Sequence, residues 1–253
     1  MIWLVPLPFF CLSFLFSMLG MGGAQLFIPI LFWMGLDFKT EAIPLGIVLS
    51  LVSSLSASFI YIRKRMIDWR IAVPFGLAMV VGAPLGTWVN TIISTRSVII
   101  FFSVLTILGA LVMLSGWTPR RKLESPAGKL LLGIFGGVGL GFDAGLIGRG
   151  GGAMVVPLLT LFGVGAKTAA ATSMFVVICS TTASLISHLV AGAHPIWGLW
   201  LACGAGVALG SNLGARFMSG KMKPRGVRVA FGIVLMIVAI ILLVRDVGVL
   251  GRG

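Results

Sequence analysis

Gly20-Met-Gly-Gly-Ala-Gln-Leu-Phe-Ile-Pro29 and Gly148-Arg-Gly-Gly-Gly-Ala-Met-Val-Val-Pro157 lie one fixed shift of 128 positions apart and align without a gap. The same shift pairs Gly35 with Gly163, Lys39-Thr40 with Lys167-Thr168, Trp69 with Trp197, and Gly82-Ala-Pro-Leu-Gly86 with Gly210-Ser-Asn-Leu-Gly214. From Gly20 to Gly86 roughly fifteen positions are identical, where biased composition alone gives about six. The matches fall on Gly, Pro, Lys and Trp rather than on common aliphatics, so the chain reads as an internal duplication.

Around these motifs the chain is apolar. Hydrophobic residues make up 58% of the 253, charged residues only 10%, and the mean hydropathy is +1.14. Nineteen basic and six acidic residues cannot cover a water-soluble surface. They fall between apolar runs of about 15 to 22 residues, the length that crosses roughly 30 Å of hydrocarbon. These runs lie at 2–19, 22–36, 43–62, 69–89 and 98–117, then at 130–147, 150–164, 168–190, 196–215 and 228–244. Backbone groups in lipid must be satisfied internally and no strand-like alternation suggests a barrel, so all are predicted to be helices. The expected fold is all-α: a polytopic membrane protein of two repeats, each a Gly-rich broken or re-entrant helical hairpin plus three spanning helices, 8 to 10 membrane segments in all. Residues 1–117 form the first repeat, 118–129 a cytoplasmic linker and 130–253 the second repeat.

The formal charge of +13 does not imply nucleic acid, because the basic residues cap the ends of apolar segments and so act as topology signals. Their placement predicts that the repeats are inverted. Arg63-Lys64-Arg65 has no basic counterpart at Ala191-Gly192-Ala193, whereas Lys221, Lys223, Arg225 and Arg228 fall in the following loop, whose first-repeat counterpart holds only Arg96. All large clusters, including Arg120 to Lys129, reach the cytoplasm only if each Gly-rich pair of segments returns the chain to its starting side. Cys11, Cys179 and Cys203 lie within apolar runs and read as packing residues. Residues 2–19 lack a preceding Lys or Arg and a small-x-small cleavage site, so they are expected to remain as a membrane segment.

Glycine lets a backbone unwind and approach a ligand closely, and the helix that follows offers unpaired N–H groups and about half a positive charge. Gly20, Gly22, Gly23 and Ala24, with the neighbouring Gln25, and Gly148, Arg149, Gly150, Gly151 and Gly152 therefore form a candidate anion site. The competing reading is close helix packing through small residues.

The doubled Gly-x-Gly-Gly-[Gly/Ala]-x4-Pro element, followed by Gly and four residues later by Lys-Thr, resembles the TauE/SafE sulfite exporter family, also called the 4-toluene sulfonate uptake permeases. The resemblance covers essentially the whole chain, with departures at Ala24, where the second loop has Gly152, and at Arg149. It implies a secondary transporter moving sulfite, sulfonates or related organosulfur anions across the bacterial cytoplasmic membrane.

Charges within membrane segments are rare unless they face a cavity or a partner. Arg149 can hold a sulfonate through its planar fork while Asp143 orients it or takes a proton; the alternative is an ion pair between the two. Ser50, Ser53, Ser54 and Ser58, and Thr181, Thr182, Ser180, Ser184 and Ser187, form hydroxyl stripes that either line a substrate path or pack helices. His188 is a second proton-coupling candidate. No cofactor, metal site or enzyme motif is expected; the partners are a small anion, protons and membrane lipid. A membrane scaffold without a transported ligand, or a transporter of a different small anion, is the rival reading, and a scaffold has no use for duplicated polar loops at membrane depth.

Overall fold

The computed structural model describes residues 6–36, 41–93, 95–117, 125–147, 152–190 and 197–241. They form ten α-helices: α1 (Pro6–Leu19), α2 (Ala24–Trp33), α3 (Ile43–Arg63), α4 (Trp69–Ile92), α5 (Thr95–Leu114), α6 (Pro126–Ile147), α7 (Gly152–Leu161), α8 (Ala166–Val190), α9 (Trp197–Lys221) and α10 (Pro224–Ile241). Each predicted segment holds one helix among its described residues, and the described residues contain no strand. α3, α4, α6 and α8 each hold a stretch long and apolar enough to cross a membrane.

Local chemistry sets the ends. The Asp68 side chain accepts from the backbone N–H of Arg70 and caps α4. Ser125 stands before Pro126 and accepts from Lys129 through its carbonyl, so α6 starts inside the stretch read as linker. Proline at a first helical position forfeits only an N–H that has no intrahelical partner. Gly35 and Gly163, equivalent in the repeat, end α2 and α7 alike: each has positive φ, donates to the carbonyl three residues back, and is followed by a residue donating five back.

Glycines paired by the 128-position shift make like contacts. A Cβ at Gly82 would collide with Val138 O and one at Gly86 with Phe142 O; at the equivalent positions Gly210 meets Phe10 O and Gly214 meets Phe14 O. The fourth helix of each half thus lies against the first helix of the other, backbone to backbone, with glycine permitting the approach. Register fixes direction. Gly133 touches Pro74, Gly137 touches Ala78 and Gly145 touches Ala83, so α4 and α6 run parallel, as do α1 and α9. The helix pairs joining equivalent elements run antiparallel. Ile43 and Ile47 near the start of α3 cluster with Leu185 near the end of α8. Arg228 at the start of α10 reaches the carbonyls of Gly116 and Trp117 beyond the end of α5.

One end of the bundle collects the basic residues. Lys64 Nζ lies 4.0 Å from the position of a Gly220 Cβ, Lys167 Nζ donates to Ser219 O at 3.0 Å, and Lys129 pairs with Asp68, whose N–H donates to Thr172 Oγ1. The core runs through the same helices, with Phe16, Tyr61, Phe75 and Phe231 fully buried.

Candidate functional site

α1 ends at Gly20, which has φ +82°, and the chain turns through Gly22 (φ +77°) and Gly23 (φ +103°) into α2. Left-handed backbone at these positions costs a residue with a side chain about 1–2 kcal/mol, so glycine is what lets the hairpin close so tightly. Phe27, one turn into α2, returns alongside α1 and packs against both Phe9 and Phe16. α1 has 14 residues, about 21 Å of helix, and α2 has 10, about 15 Å, so neither matches the full hydrocarbon thickness.

The hairpin tip meets the start of α7 inside the protein. A Cβ on Gly152 would stand 2.6 Å from Met21 O and 2.7 Å from a methyl of Val177. Ser173 Oγ lies 2.7 Å from Gly20 O and 3.3 Å from Gly152 O, so a single hydroxyl of α8 touches both Gly-rich segments. Gly23 O accepts from Leu26 and Phe27, which leaves the N–H groups of the first residues of α2 without intrahelical partners. Two short helices therefore begin, positive ends inward, at one buried junction.

Hydroxyls from α3 face this junction. A Cβ on Gly22 would stand 2.7 Å from Ser50 Oγ and 3.3 Å from Ser54 Oγ. Both hydroxyls are fully buried and, like those of Ser58 and Ser184, have no hydrogen-bond partner. A buried hydroxyl without a partner costs about 1–3 kcal/mol. Ser50 and Ser54, both against Gly22, mark a place where an acceptor or water would be stabilised.

The other candidates are distributed differently. Ser53 accepts from Ser211 of α9 at 2.7 Å, and Ser56 donates to Ala208 O, so this second hydroxyl row fastens α3 to α9. Thr181 donates to Val177 O at 2.6 Å and Thr182 to Ile178 O at 2.7 Å, with Thr182 on the exposed side of α8. Asp143 is buried in the last turns of α6, just before the second loop. Gly148, Arg149, Gly150 and Gly151 lie outside the described residues, as do the side chains of Ala24, Gln25 and His188. Ser173 was missed in the sequence because it stands seven residues before the stripe at Ser180, among alanines, and its equivalent in the first repeat is Leu45. Among the described residues no group of three His, Cys, Asp or Glu comes together to hold a metal ion.

Comparison with known proteins agrees with a membrane carrier. The family described as sulfite exporter TauE/SafE matches residues 7–242. The "Probable membrane transporter protein YunE" of Bacillus subtilis is 27% identical over 247 residues, spanning 88% of this chain and 90% of that protein. A "Probable membrane transporter protein" of Haemophilus influenzae is 30% identical over 222 residues, covering 85% of each chain. A third, from Methanocaldococcus jannaschii, is 29% identical over 191 residues, spanning 72% of this chain and 70% of its own. No solved structure matches the chain significantly.

Proposed function

The chain belongs to the sulfite exporter TauE/SafE family and is a multi-pass membrane protein of transporter type; from that premise we propose that it is a secondary active transporter of a small sulfur-containing anion such as sulfite or a sulfonate. The observation that carries the reading is the junction itself: the tip of the α1–α2 hairpin and the start of α7 meet at Ser173, beside the unpartnered hydroxyls of Ser50 and Ser54. Each short helix directs its positive end there, and buried N–H and O–H donors without partners suit an oxyanion better than a cation. In this reading the planar donor fork of Arg149, a residue of the second Gly-rich loop, is assigned to the anion, and Asp143 and His188 to the coupled proton.

The repeats are inverted in this reading. Support comes from the two helix pairs that join equivalent elements, α3 with α8 and α5 with α10: both run antiparallel, as a two-fold axis in the membrane plane requires. The basic end of the bundle is then cytoplasmic, the α1–α2 hairpin reaches the junction from outside and the α6–α7 hairpin from inside. Alternate loosening of the two hairpins about Ser173 exposes the anion to one side and then to the other. ATP plays no part.

Counterflow in proteoliposomes with sulfite, sulfoacetate, taurine and thiosulfate tests the substrate class. Saturable exchange of at least one is expected, and no saturable movement of any would remove the sulfur-anion reading. Single-cysteine labelling in a Cys-free background tests the orientation: positions 193 and 223 should label from opposite faces, and labelling from one face would overturn the inversion.

A further inference from the structure

At the basic end of the bundle, away from the Gly-rich junction, a cavity of about 660 Å³ lies between the end of α5, the α7–α8 turn and the first turn of α10. Its walls carry two cations, Arg225 and Arg228, and among the described residues no acidic side chain lines it. The two arginines are three residues apart and so project from one side of α10. Arg228 is partly committed: its terminal nitrogens donate to Trp117 O at 2.8 Å and to Val112 O and Gly116 O at 3.4 Å, which caps the end of α5. Its Nε is nevertheless buried without a partner. That atom is closed off from the cavity, so Arg228 contributes fixed positive charge to the wall, and Arg225, on the exposed side of the same turn, supplies a full guanidinium fork. The first turns of α8 and α10 open at the same rim and add their positive ends.

Ser115 and Thr160 also line the cavity, and Met113, Leu114, Val164 and Val229 give it an apolar wall. Leu114 and Val229 are also exposed on the outside of the bundle, and each continues a line of exposed apolar residues along its helix, Val104, Leu108 and Leu111 on α5 and Ile233, Ile237 and Ile240 on α10. A free oxyanion fills a small part of this volume and has no use for the apolar wall. A phosphodiester carrying acyl chains uses both, with its phosphate at the arginines and its chains laid along α5 and α10 in the surrounding bilayer.

We propose that the α5–α10 cavity is a specific site for the headgroup phosphate of an anionic phospholipid, held by Arg225 beside the fixed positive charge of Arg228. Basic pockets between helices at the cytoplasmic surface are suited to such headgroups, and each nearby cation adds attraction that falls off within a Debye length. The site is separate from the transport junction, so its occupancy bears on how α10 and α5 are held together rather than on anion recognition.

Native mass spectrometry of the delipidated full-length protein tests this by titration with phosphatidylglycerol, phosphatidylcholine and inorganic phosphate. Phosphatidylglycerol should give a saturable one-to-one adduct, about tenfold tighter than phosphatidylcholine, and Arg225→Gln should erase most of that difference while Arg65→Gln leaves it intact. Arg225 makes no capping bond, so its replacement reads the site without unfastening α5; Arg228→Gln should weaken the adduct further and lower the melting temperature as well. Equal binding of the two lipids, or an adduct indifferent to Arg225→Gln, would overturn the proposal. Displacement of phosphatidylglycerol by an equal concentration of inorganic phosphate would also overturn it, by assigning the cavity to a free oxyanion.

Discussion

The equivalent helices α3 and α8 carry hydroxyl stripes that look alike in sequence and behave differently in the fold. On α8, Ser180, Thr181, Thr182 and Ser187 donate to carbonyls three or four residues back in their own helix. On α3, Ser50, Ser54 and Ser58 are buried, face the first loop or follow on the same stripe, and bond nothing. The contrast runs the other way at Ser173, which holds the backbone of both Gly-rich segments, while Leu45 stands at the equivalent place on α3. Ser184 is the member of the α8 stripe that stays unbonded, so the two helices differ in degree: α8 bonds most of its hydroxyls internally and touches both Gly-rich segments through Ser173, while the Ser50, Ser54 and Ser58 stripe of α3 is unbonded throughout. Self-bonded hydroxyls are already satisfied and gain little from a ligand, whereas unpartnered ones gain the full worth of a hydrogen bond.

The largest effect should come from closing the space that both halves share. Gly22→Val places a branched side chain at φ +77° and against Ser50 Oγ and Val177, and Gly152→Val drives one into Met21 O. Either change should abolish counterflow while the protein still inserts and elutes as a single species. Gly139→Ala, on the interior of α6 with no atom within 4 Å of the new Cβ, is the matched control and should transport normally. If Gly22→Val and Gly139→Ala transport equally well, the junction is not the site.

The hydroxyl that joins the halves comes next. Ser173→Ala takes from Gly20 O the hydroxyl donor at 2.7 Å and from Gly152 O its weaker 3.3 Å contact, which should cost about 1–3 kcal/mol of stability and lower transport roughly tenfold. Ser173→Thr keeps the donor and should recover much of both losses. Loss of stability with an unchanged initial rate, measured below the melting transition, would make Ser173 a packing residue only.

How much of this was legible depends on what each feature demands of the sequence. The ten helices of the described residues could be read because a membrane forces long apolar runs and exiles charge to their ends, and the recurring glycines stood out because Gly82 and Gly86, and again Gly210 and Gly214, each lie against a carbonyl of a neighbouring helix. Boundaries were less legible: α6 begins at Pro126 and α9 runs to Lys221, since a polar residue in the end turn of a helix can extend into interfacial water and so interrupts hydropathy without interrupting hydrogen bonding. In the candidate site, the glycines announced themselves by recurrence. The partition of hydroxyls did not, because Ser53, tied to Ser211, and Ser54, facing Gly22, are adjacent in sequence and differ only in which side of α3 they occupy. Ser173 lies in register with Ser180, two turns away, but the turn between them holds only Met174, Phe175, Val176 and Val177, so the stripe was read as starting at Ser180.

The finest distinction between the two stripes gives the smallest expected effect and the most specific one. Ser54→Ala removes a buried hydroxyl that has no partner in the protein, so the folded state loses a desolvation penalty and no bond. Its melting temperature should hold or rise slightly. If that hydroxyl donates to the transported anion, the same change should raise the KM for counterflow a few-fold, on the order of one lost hydrogen bond, about 0.5–1.5 kcal/mol. Thr182→Val on α8 deletes a hydroxyl already bonded to Ile178 O on an exposed face, keeps the shape of the side chain, and should change neither KM nor stability beyond the ±0.5 kcal/mol usual for surface substitutions. A weaker KM together with undiminished stability in Ser54→Ala separates a binding hydroxyl from a packing one, because a packing role would lower the melting temperature and leave KM alone. Identical behaviour of the two variants would mean that α3 and α8 use their hydroxyls in the same way, and the donors at the junction would then be the backbone N–H groups of the loops.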